Sequence, residues 1–140
     1  MTKKIEGILR LAVSGEFLGH GALALQGKAQ WVVWISRVTG LGAADAALVL
    51  TVIGLLDVVV VLIILFRPIK VVVLWTTFWG FFTAIVRPFL GESIWDFVER
   101  FANFGAPLAL YYILSYRTKE KSGQSSRDTS CQIAKSIGGK

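Results

Sequence analysis

Histidine and cysteine are almost absent from this chain of 140 residues, which contains one of each. The single His20 and the single Cys131 cannot supply the ligands of a bis-histidine haem, a blue-copper centre or a zinc tetrad. One cysteine also excludes a disulfide within the chain. A Gly-Lys-Ser/Thr phosphate loop and a dinucleotide-binding glycine motif are missing as well. The sequence therefore predicts no metal site and no self-sufficient redox cofactor, and it leaves open whether the protein is an enzyme.

Charged residues are also scarce, at 17% of the chain, whereas 54% is hydrophobic and the mean hydropathy is +0.63. This composition is typical of a small membrane protein rather than of a soluble domain. The net charge is +6, and most of the excess positive charge follows Tyr116 or flanks apolar runs. Membrane topology explains this distribution better than nucleic-acid binding, because no folded basic module is recognisable. We therefore expect the lipid bilayer, and not nucleic acid, to surround the protein.

Four apolar segments approach the roughly 20 residues that cross a bilayer as a helix. They run from about 5 to 26, 43 to 66, 69 to 90 and 95 to 116. Between the first two, residues 28–42 alternate between indole and polar side chains, which favours a short interfacial helix with Trp31 and Trp34 at headgroup level. The sequence therefore predicts an all-α protein, a four-transmembrane-helix bundle formed by residues 1–116.

The composition changes after Tyr116, because residues 117–140 are rich in Ser, Lys, Gly, Gln and Thr. Such a segment buries too little apolar surface to fold alone and predicts a flexible basic tail. Lys and Arg are enriched on the side that holds both termini, mainly through this tail, so both termini are expected in the cytoplasm. Charges interrupt the first apolar segment, which indicates a retained span and not a signal peptide. The predicted location is the inner (plasma) membrane, crossed several times.

Asp57 is the only charged residue between Ala46 and Phe66, in a run of Leu, Val, Ile and Ala. A charge at the centre of a span costs roughly 2.5–3.5 kcal/mol on insertion scales, so a lone carboxylate there is a functional-site hypothesis. The structural alternative is a salt bridge with Arg87 that holds two helices in register.

Polar side chains recur on one face of three predicted spans, given an advance of about 100° per residue in a helix. Polar atoms in hydrocarbon need partners, so these faces should meet inside the bundle, in a cluster open to the outer half of the membrane. The candidate ligand-binding or proton-relay residues are Glu16, His20, Asp57, Thr83, Arg87, Glu99, Arg100 and Asn103. Glu16 and His20 are four residues apart and can form a hydrogen bond. His20 is therefore either a proton carrier or a buried histidine that Glu16 satisfies, and catalytic residues stay unassigned.

The segment Leu9–Gly21 reads Leu-Arg-Leu-Ala-Val-Ser-Gly-Glu-Phe-Leu-Gly-His-Gly and resembles the first helix of DoxX/DoxD-like membrane proteins. Those helices carry an early Arg, small residues, an apolar pair and a His-Gly or a close relative. An acidic residue in the second span, here Asp57, and an Arg-Pro at the end of the third, here Arg87-Pro88, are similar in plan. The resemblance covers about residues 5–116 and implies a four-helix membrane bundle. It implies no single activity, because family members are linked to quinone-dependent thiosulfate oxidation, redox-stress complexes and chaperone-like roles with membrane partners.

Three functions are compatible with these features. The first, which we favour, is a ligand-binding or accessory subunit that holds a quinone-like or lipid-like molecule beside His20, Asp57 and Arg87. Any redox chemistry would then depend on a bound quinone or on a membrane redox partner. The second is a proton-coupled transporter or channel, which with four spans would need a homodimer. The third is a structural or chaperone-like interaction protein whose buried charges only set helix register.

Overall fold

The computed structural model describes residues 2–137, with side chains described for residues 3–120 and 123–124. This part of the chain forms helices and contains no strand, which confirms the all-α class. In chain order the helices are α1 (Thr2–Leu25), α2 (Ala29–Thr39), α3 (Ala43–Phe66), α4 (Lys70–Phe89), α5 (Ile94–Val98) and α6 (Phe101–Ile137).

Three of these helices, α1, α3 and α4, are long and apolar enough to cross a membrane. Their apolar segments contain 23, 24 and 20 residues, with mean hydropathies of 1.3, 3.2 and 1.4. At about 1.5 Å per residue, each matches the hydrocarbon core of a bilayer, roughly 30 Å thick. Three of the predicted spans are therefore confirmed as helices that could cross a membrane.

The predicted fourth span, residues 95–116, is not one uninterrupted helix. α5 ends at Val98, a turn follows at Glu99 and Arg100, and α6 begins at Phe101. α5 begins after Ser93 because Ser93 and Asp96 form a capping box: the Ser93 N–H donates to Asp96 Oδ2 at 3.0 Å, and Ser93 Oγ accepts from the Trp95 N–H at 3.2 Å. α6 begins at Phe101, six residues after the start predicted from the sequence, Trp95.

The long helices pack in alternating directions. α1 packs against α3 and α6, and α4 packs mainly against α6, while α2 lies on α3 and α5 on α4. The core is aliphatic apart from one phenylalanine and lies nearer the end that holds the N-terminus and the α3–α4 connection. Its buried members are Val13, Phe17, Val60, Val61, Ile64, Val73 and Leu110. This core leaves the opposite end of the helices, where α2 and α5 lie, for the polar side chains.

Glycine permits the closest approaches between helices at two places. A Cβ on Gly54 of α3 would lie 3.0 Å from the carbonyl oxygen of Gly21 on α1. A Cβ on Gly80 of α4 would lie 2.6 Å from the carbonyl oxygen of Asn103 on α6. By contrast, a Cβ on Gly15 or Gly19 would meet nothing within 4 Å, so the Gly-x-x-x-Gly pair of α1 mediates no helix contact within the described chain.

An ionic cluster joins three helices at the end that holds the N-terminus. Arg10 Nε donates to the carbonyl oxygen of Ile64 at 2.9 Å, and Arg10 Nη2 donates to that of Leu65. These carbonyls belong to the last turn of α3 and have no partner within the helix. Glu6, only 7% exposed, lies 3.7 Å from Arg10 and forms a salt bridge with Arg117 of α6. Glu6 and Arg10 therefore connect α1, α3 and α6 at this end of the bundle, and they are separate from the polar cluster around His20.

α6 continues as a helix through Ile137, where the sequence predicts a flexible tail after Tyr116. The segment contains no proline after Pro107, and Lys, Arg, Glu and Gln all have favourable helix propensity, so nothing local ends the helix at residue 117. The side chain of Cys131 and residues 138–140 lie outside the described part of the chain. That residues 117–140 form a unit separate from the membrane domain stays a prediction.

Candidate ligand-binding cavity

A cavity of about 360 Å³ lies among α1, α2, α3 and α4, with the turn before α6 at its edge. Its volume falls in the range of roughly 300–1,000 Å³ that is usual for small-molecule sites. Most of its wall is aliphatic or aromatic, and the polar groups are few. Such a wall suits a ligand that is mainly apolar and carries a small polar head.

Most of the polar residues predicted from the sequence line this cavity. They are Glu16 and His20 from α1, Asp57 from α3, Thr83 and Arg87 from α4, and Arg100 from the turn before α6. Side chains up to 84 positions apart in the chain, Glu16 and Arg100, are therefore brought together, as the helical faces predicted. Their functional roles stay predictions.

Glu99 and Asn103, the other two predicted residues, are not in the cavity wall. The Glu99 side chain is 64% exposed and lies 3.9 Å from Arg100 Nε. Asn103 instead places its backbone carbonyl against Gly80, where α4 and α6 meet. The prediction treated the chain from Trp95 onward as one continuous helix, and the turn at Glu99 and Arg100 changes the direction in which these side chains point.

Asp57 is the most deeply buried charged residue of the cavity, with 3% of its surface exposed. Its Oδ1 has no hydrogen-bond partner among the described residues. The predicted salt bridge with Arg87 is not formed, because the Arg87 guanidinium lies over the ring of Trp34, 4.8 Å from its centroid. Buried polar groups in native proteins are nearly always hydrogen-bonded, so an unpartnered carboxylate oxygen in a cavity wall indicates a ligand position.

His20 pairs with an arginine and not with the neighbouring glutamate. Arg100 Nη1 lies 3.3 Å from His20 Nε2, and because a guanidinium can only donate, Nε2 must accept. The imidazole is then neutral, with its hydrogen on Nδ1. The predicted hydrogen bond between Glu16 and His20 is absent. The ring of His20 also lies 5.6 Å from that of Trp31, which places it at the junction of α1 and α2.

The face of α2 that covers the cavity was not predicted from the sequence. It consists of Trp31, Trp34, Ile35, Val38 and Thr39, which recur at the i, i+3, i+4, i+7, i+8 spacing of one helical face. That spacing is readable in the sequence, where we instead placed the indoles at headgroup level. Trp31 Nε1 is buried and has no partner among the described residues.

α2 is held in place at both ends. Gly27 and Gly40 adopt φ angles of 68° and 75°, which L-residues with side chains rarely adopt, so each end of α2 turns sharply. Gln30 Nε2 donates to Glu92 Oε1 at 2.9 Å and so joins α2 to the connection between α4 and α5. Lys28 lies over the ring of Trp31, 4.9 Å from its centroid. These contacts fix the helix across the cavity.

The cavity is closed at one end and open at the side. Phe17 belongs both to its wall and to the aliphatic core, which separates it from the Glu6 cluster. Val38 and Phe82 line the cavity but are still 55% and 42% exposed, so the cavity reaches the outer surface of the helices.

Within the described residues, no group of three His, Cys, Asp or Glu side chains is arranged to hold a metal ion. Three residues of the cavity wall carry a buried polar atom without a hydrogen-bond partner among the described residues: Asp57 has an acceptor, and Trp31 and Arg100 each have a donor. With Glu16, His20, Thr83 and Arg87, these residues can bind a polar head by hydrogen bonds and charge.

Comparisons with protein families, with curated protein sequences and with solved structures find no match to this chain. What the protein does must therefore be inferred from the geometry of the cavity and from the sequence.

Proposed function

We propose that this chain is an integral membrane protein of the DoxX/DoxD-like type, a ligand-binding or accessory subunit that holds a quinone-like or lipid-like molecule in the cavity. The observation that carries the proposal is the buried, unpartnered carboxylate of Asp57 in the wall of a mainly apolar cavity. Leaving a polar group buried without a partner costs about 1–3 kcal/mol, so a ligand head that pairs with it gains affinity.

The shape of the cavity supports an amphiphile rather than a water-soluble substrate. Its polar residues are few, among them Glu16, Asp57 and Arg100, and most of the remaining wall is hydrocarbon and aromatic rings. The side opening near Val38 and Phe82 would let an apolar tail remain among lipid chains. A quinone or a lipid has this division between head and tail.

A fourth membrane crossing by the first half of α6 belongs to the proposal. After crossings by α1, α3 and α4 alone, the chain would end on the side opposite its N-terminus. However, Arg117 of α6 forms a salt bridge with Glu6 of α1, so α6 runs back along the bundle to the end where the chain begins. Pro107 and Leu110 are fully buried against the other helices, which supports α6 as a bundle member. We also propose the inner membrane as the location, and the positive charge at this end supports an orientation with both termini in the cytoplasm and α2 in the outer interface.

A link to redox chemistry would come through the ligand or a partner subunit. The cavity contains no cysteine and no metal-binding cluster within the described chain, whereas a bound quinone could accept electrons from a membrane partner. The DoxX/DoxD-like resemblance supports this version of the proposal. A second copy of the chain or a redox partner would then complete the complex in which the ligand exchanges electrons.

The test is ligand-dependent stability of the purified protein in detergent. A short-chain ubiquinone analogue at about 100 times its Kd should stabilise the fold by about 2.7 kcal/mol, and His20→Ala should abolish the rise in Tm. Asp45→Asn is the matched control, because Asp45 is exposed on α3 outside the cavity and should keep the full response. If neither quinone analogues nor lipids change the Tm of the unaltered protein, the proposed function is wrong.

Proton-coupled transport is the second candidate, and it is favoured by the presence of Glu16, His20 and Asp57 in one cavity. Its difficulty is the aliphatic core, which closes the cavity toward the N-terminal end of the bundle and leaves no polar route through the described residues. Reconstitution in liposomes separates the two candidates. Transport predicts a proton flux that Asp57→Asn stops, whereas a binding subunit gives no flux in either form.

A further inference from the structure

Two arginine side chains in the cavity wall keep N–H donors for which the described chain offers no acceptor. Arg87 forms no hydrogen bond and no salt bridge with a described residue, and none of its nitrogens is enclosed. Its guanidinium lies over the ring of Trp34, 4.8 Å from the centroid. An aromatic ring attracts the charge but does not replace the oxygen acceptors that the N–H groups need, so Arg87 remains free to bind a ligand.

Arg100 uses only one of its two terminal nitrogens within the described chain. Nη1 donates to Nε2 of His20 at 3.3 Å, whereas Nη2 has no partner and is not enclosed. His20 accepts this bond as a neutral ring, so it does not balance the charge of the guanidinium. The nearest carboxylate among the described residues, Glu99 Oε1, is 3.9 Å from Nε and belongs to a side chain that is 64% exposed. Because water screens such an exposed contact, Arg100 has no strong counter-ion within the described chain.

The two arginines reach the same cavity from different elements. Arg87 belongs to the last turn of α4 and Arg100 to the turn before α6, and both line the space of about 360 Å³. The two carboxyl groups of the wall, Glu16 and Asp57, form no salt bridge with either of them. Two cations beside one largely apolar space repel each other unless an anion lies between them. Carboxylate and phosphate are the anions whose geometry matches the planar fork of arginine.

We propose that the cavity binds an amphiphile with an anionic head, a carboxylate or a phosphate, held between Arg87 and Arg100. The alkyl chain of this molecule lies along the aliphatic and aromatic wall and leaves through the side opening near Val38 and Phe82. A long-chain carboxylate and an alkyl phosphate share this chemistry. The inference rests on the proposed function, and it adds the charge of the head that the site prefers.

The experiment compares four ligands that share one saturated alkyl chain and differ in the head: a carboxylate, a phosphate, an alcohol and an amine. Binding to the full-length protein in an uncharged detergent, at a pH where the carboxylate is ionised, is measured by isothermal titration calorimetry. The two anions should bind at least about tenfold more tightly than the alcohol, because hydrogen bonds between charged groups are worth about that factor. The cationic amine should bind no better than the alcohol.

Acetate and inorganic phosphate distinguish an amphiphile from a free anion, since they carry the same heads without the chain. They should bind at least about tenfold more weakly than the long-chain ligands, because they bury no hydrocarbon in the cavity. Equal binding of inorganic phosphate and the alkyl phosphate would show a site for a free anion and would overturn the amphiphile.

Variants then locate the head. Arg87→Gln removes one cation and keeps an amide donor, so the advantage of the anions over the alcohol should fall to about twofold. Arg37→Gln removes the same charge from an exposed site on α2 and should keep the tenfold advantage, which controls for general attraction of anions to a basic protein. Glu16→Gln removes a negative charge from the cavity wall, so it should bind the anions at least as tightly as the unaltered protein.

The outcomes distinguish this inference from the proposed function. Equal affinities of the unaltered protein for the alcohol and the anions overturn the anionic head and leave the binding function in place. Failure of all four amphiphiles and of quinone analogues to bind overturns the binding function itself. If Arg87→Gln folds and keeps the tenfold advantage, the head does not lie between the two arginines. If that variant does not fold, the comparison of the four ligands on the unaltered protein still decides.

Discussion

Arg100 donates a hydrogen bond from Nη1 to Nε2 of His20 over 3.3 Å, which joins the turn before α6 to the C-terminal part of α1. The bond places a guanidinium at the edge of the cavity, with its Nε still unpartnered. It also fixes the neutral form of the imidazole, because Nε2 must remain an acceptor. This hydrogen bond therefore fixes the position of the turn before α6 against α1. It also holds the Arg100 guanidinium at the cavity.

His20→Ala should destabilise the fold by about 1–3 kcal/mol, because it leaves the buried part of Arg100 without its acceptor. His20→Gln should recover much of that loss, since the side-chain carbonyl of glutamine can accept from Arg100. Thermal unfolding in detergent of both variants, compared with the unaltered protein, measures the difference. Equal losses in the two variants would show that the ring itself matters and that the hydrogen bond does not.

Arg10→Met should cost about 1–3 kcal/mol, the usual effect of leaving buried polar groups without a partner. The substitution keeps an unbranched side chain but leaves the last carbonyls of α3 without their donor, while Glu6 keeps its salt bridge with Arg117. Arg37→Met is the matched control, because Arg37 is exposed on α2 and forms no salt bridge with a described residue. Unfolding free energies should differ strongly between the two variants. Ligand affinity should be unchanged in Arg10→Met, since the cluster lies at the opposite end from the cavity.

The helical class and three apolar spans were predictable because hydrophobic length is a property of the chain alone. The faces that carry His20 and Asp57 were also predictable, since polar atoms in hydrocarbon need an interior. The place of Trp31 and Trp34 in the cavity wall could not be predicted from the sequence, because it depends on how α2 folds back over α3. Glu99 and Arg100 show a second limit: they are neighbours in sequence, but only a turn decides which of them faces the cavity.

Gly80→Ala should destabilise the protein by about 1–3 kcal/mol, the range for overpacking a tight contact. A methyl group there would lie 2.6 Å from the carbonyl oxygen of Asn103, and backbone cannot move aside as a flexible side chain can. Gly15→Ala gives the contrast, because its added methyl group meets nothing within 4 Å. Alanine is the better helix former by about 1 kcal/mol, so this control should be neutral or stabilising. Equal effects of the two substitutions on the free energy of unfolding would argue against the close α4–α6 contact.

The number of membrane crossings can be decided by cysteine labelling, because Cys131 is the only native cysteine and is removed by Cys131→Ser. In that background Lys4→Cys, Arg37→Cys and Glu120→Cys place single thiols at the N-terminus, on α2 and beyond Arg117. With four crossings, an impermeant maleimide added to cells with a permeable outer envelope should label Arg37→Cys alone. With three crossings, Lys4→Cys and Glu120→Cys would lie on opposite sides, so exactly one of them would be labelled. That result would separate Glu6 from Arg117 by the whole membrane and remove the salt bridge on which the path of α6 depends.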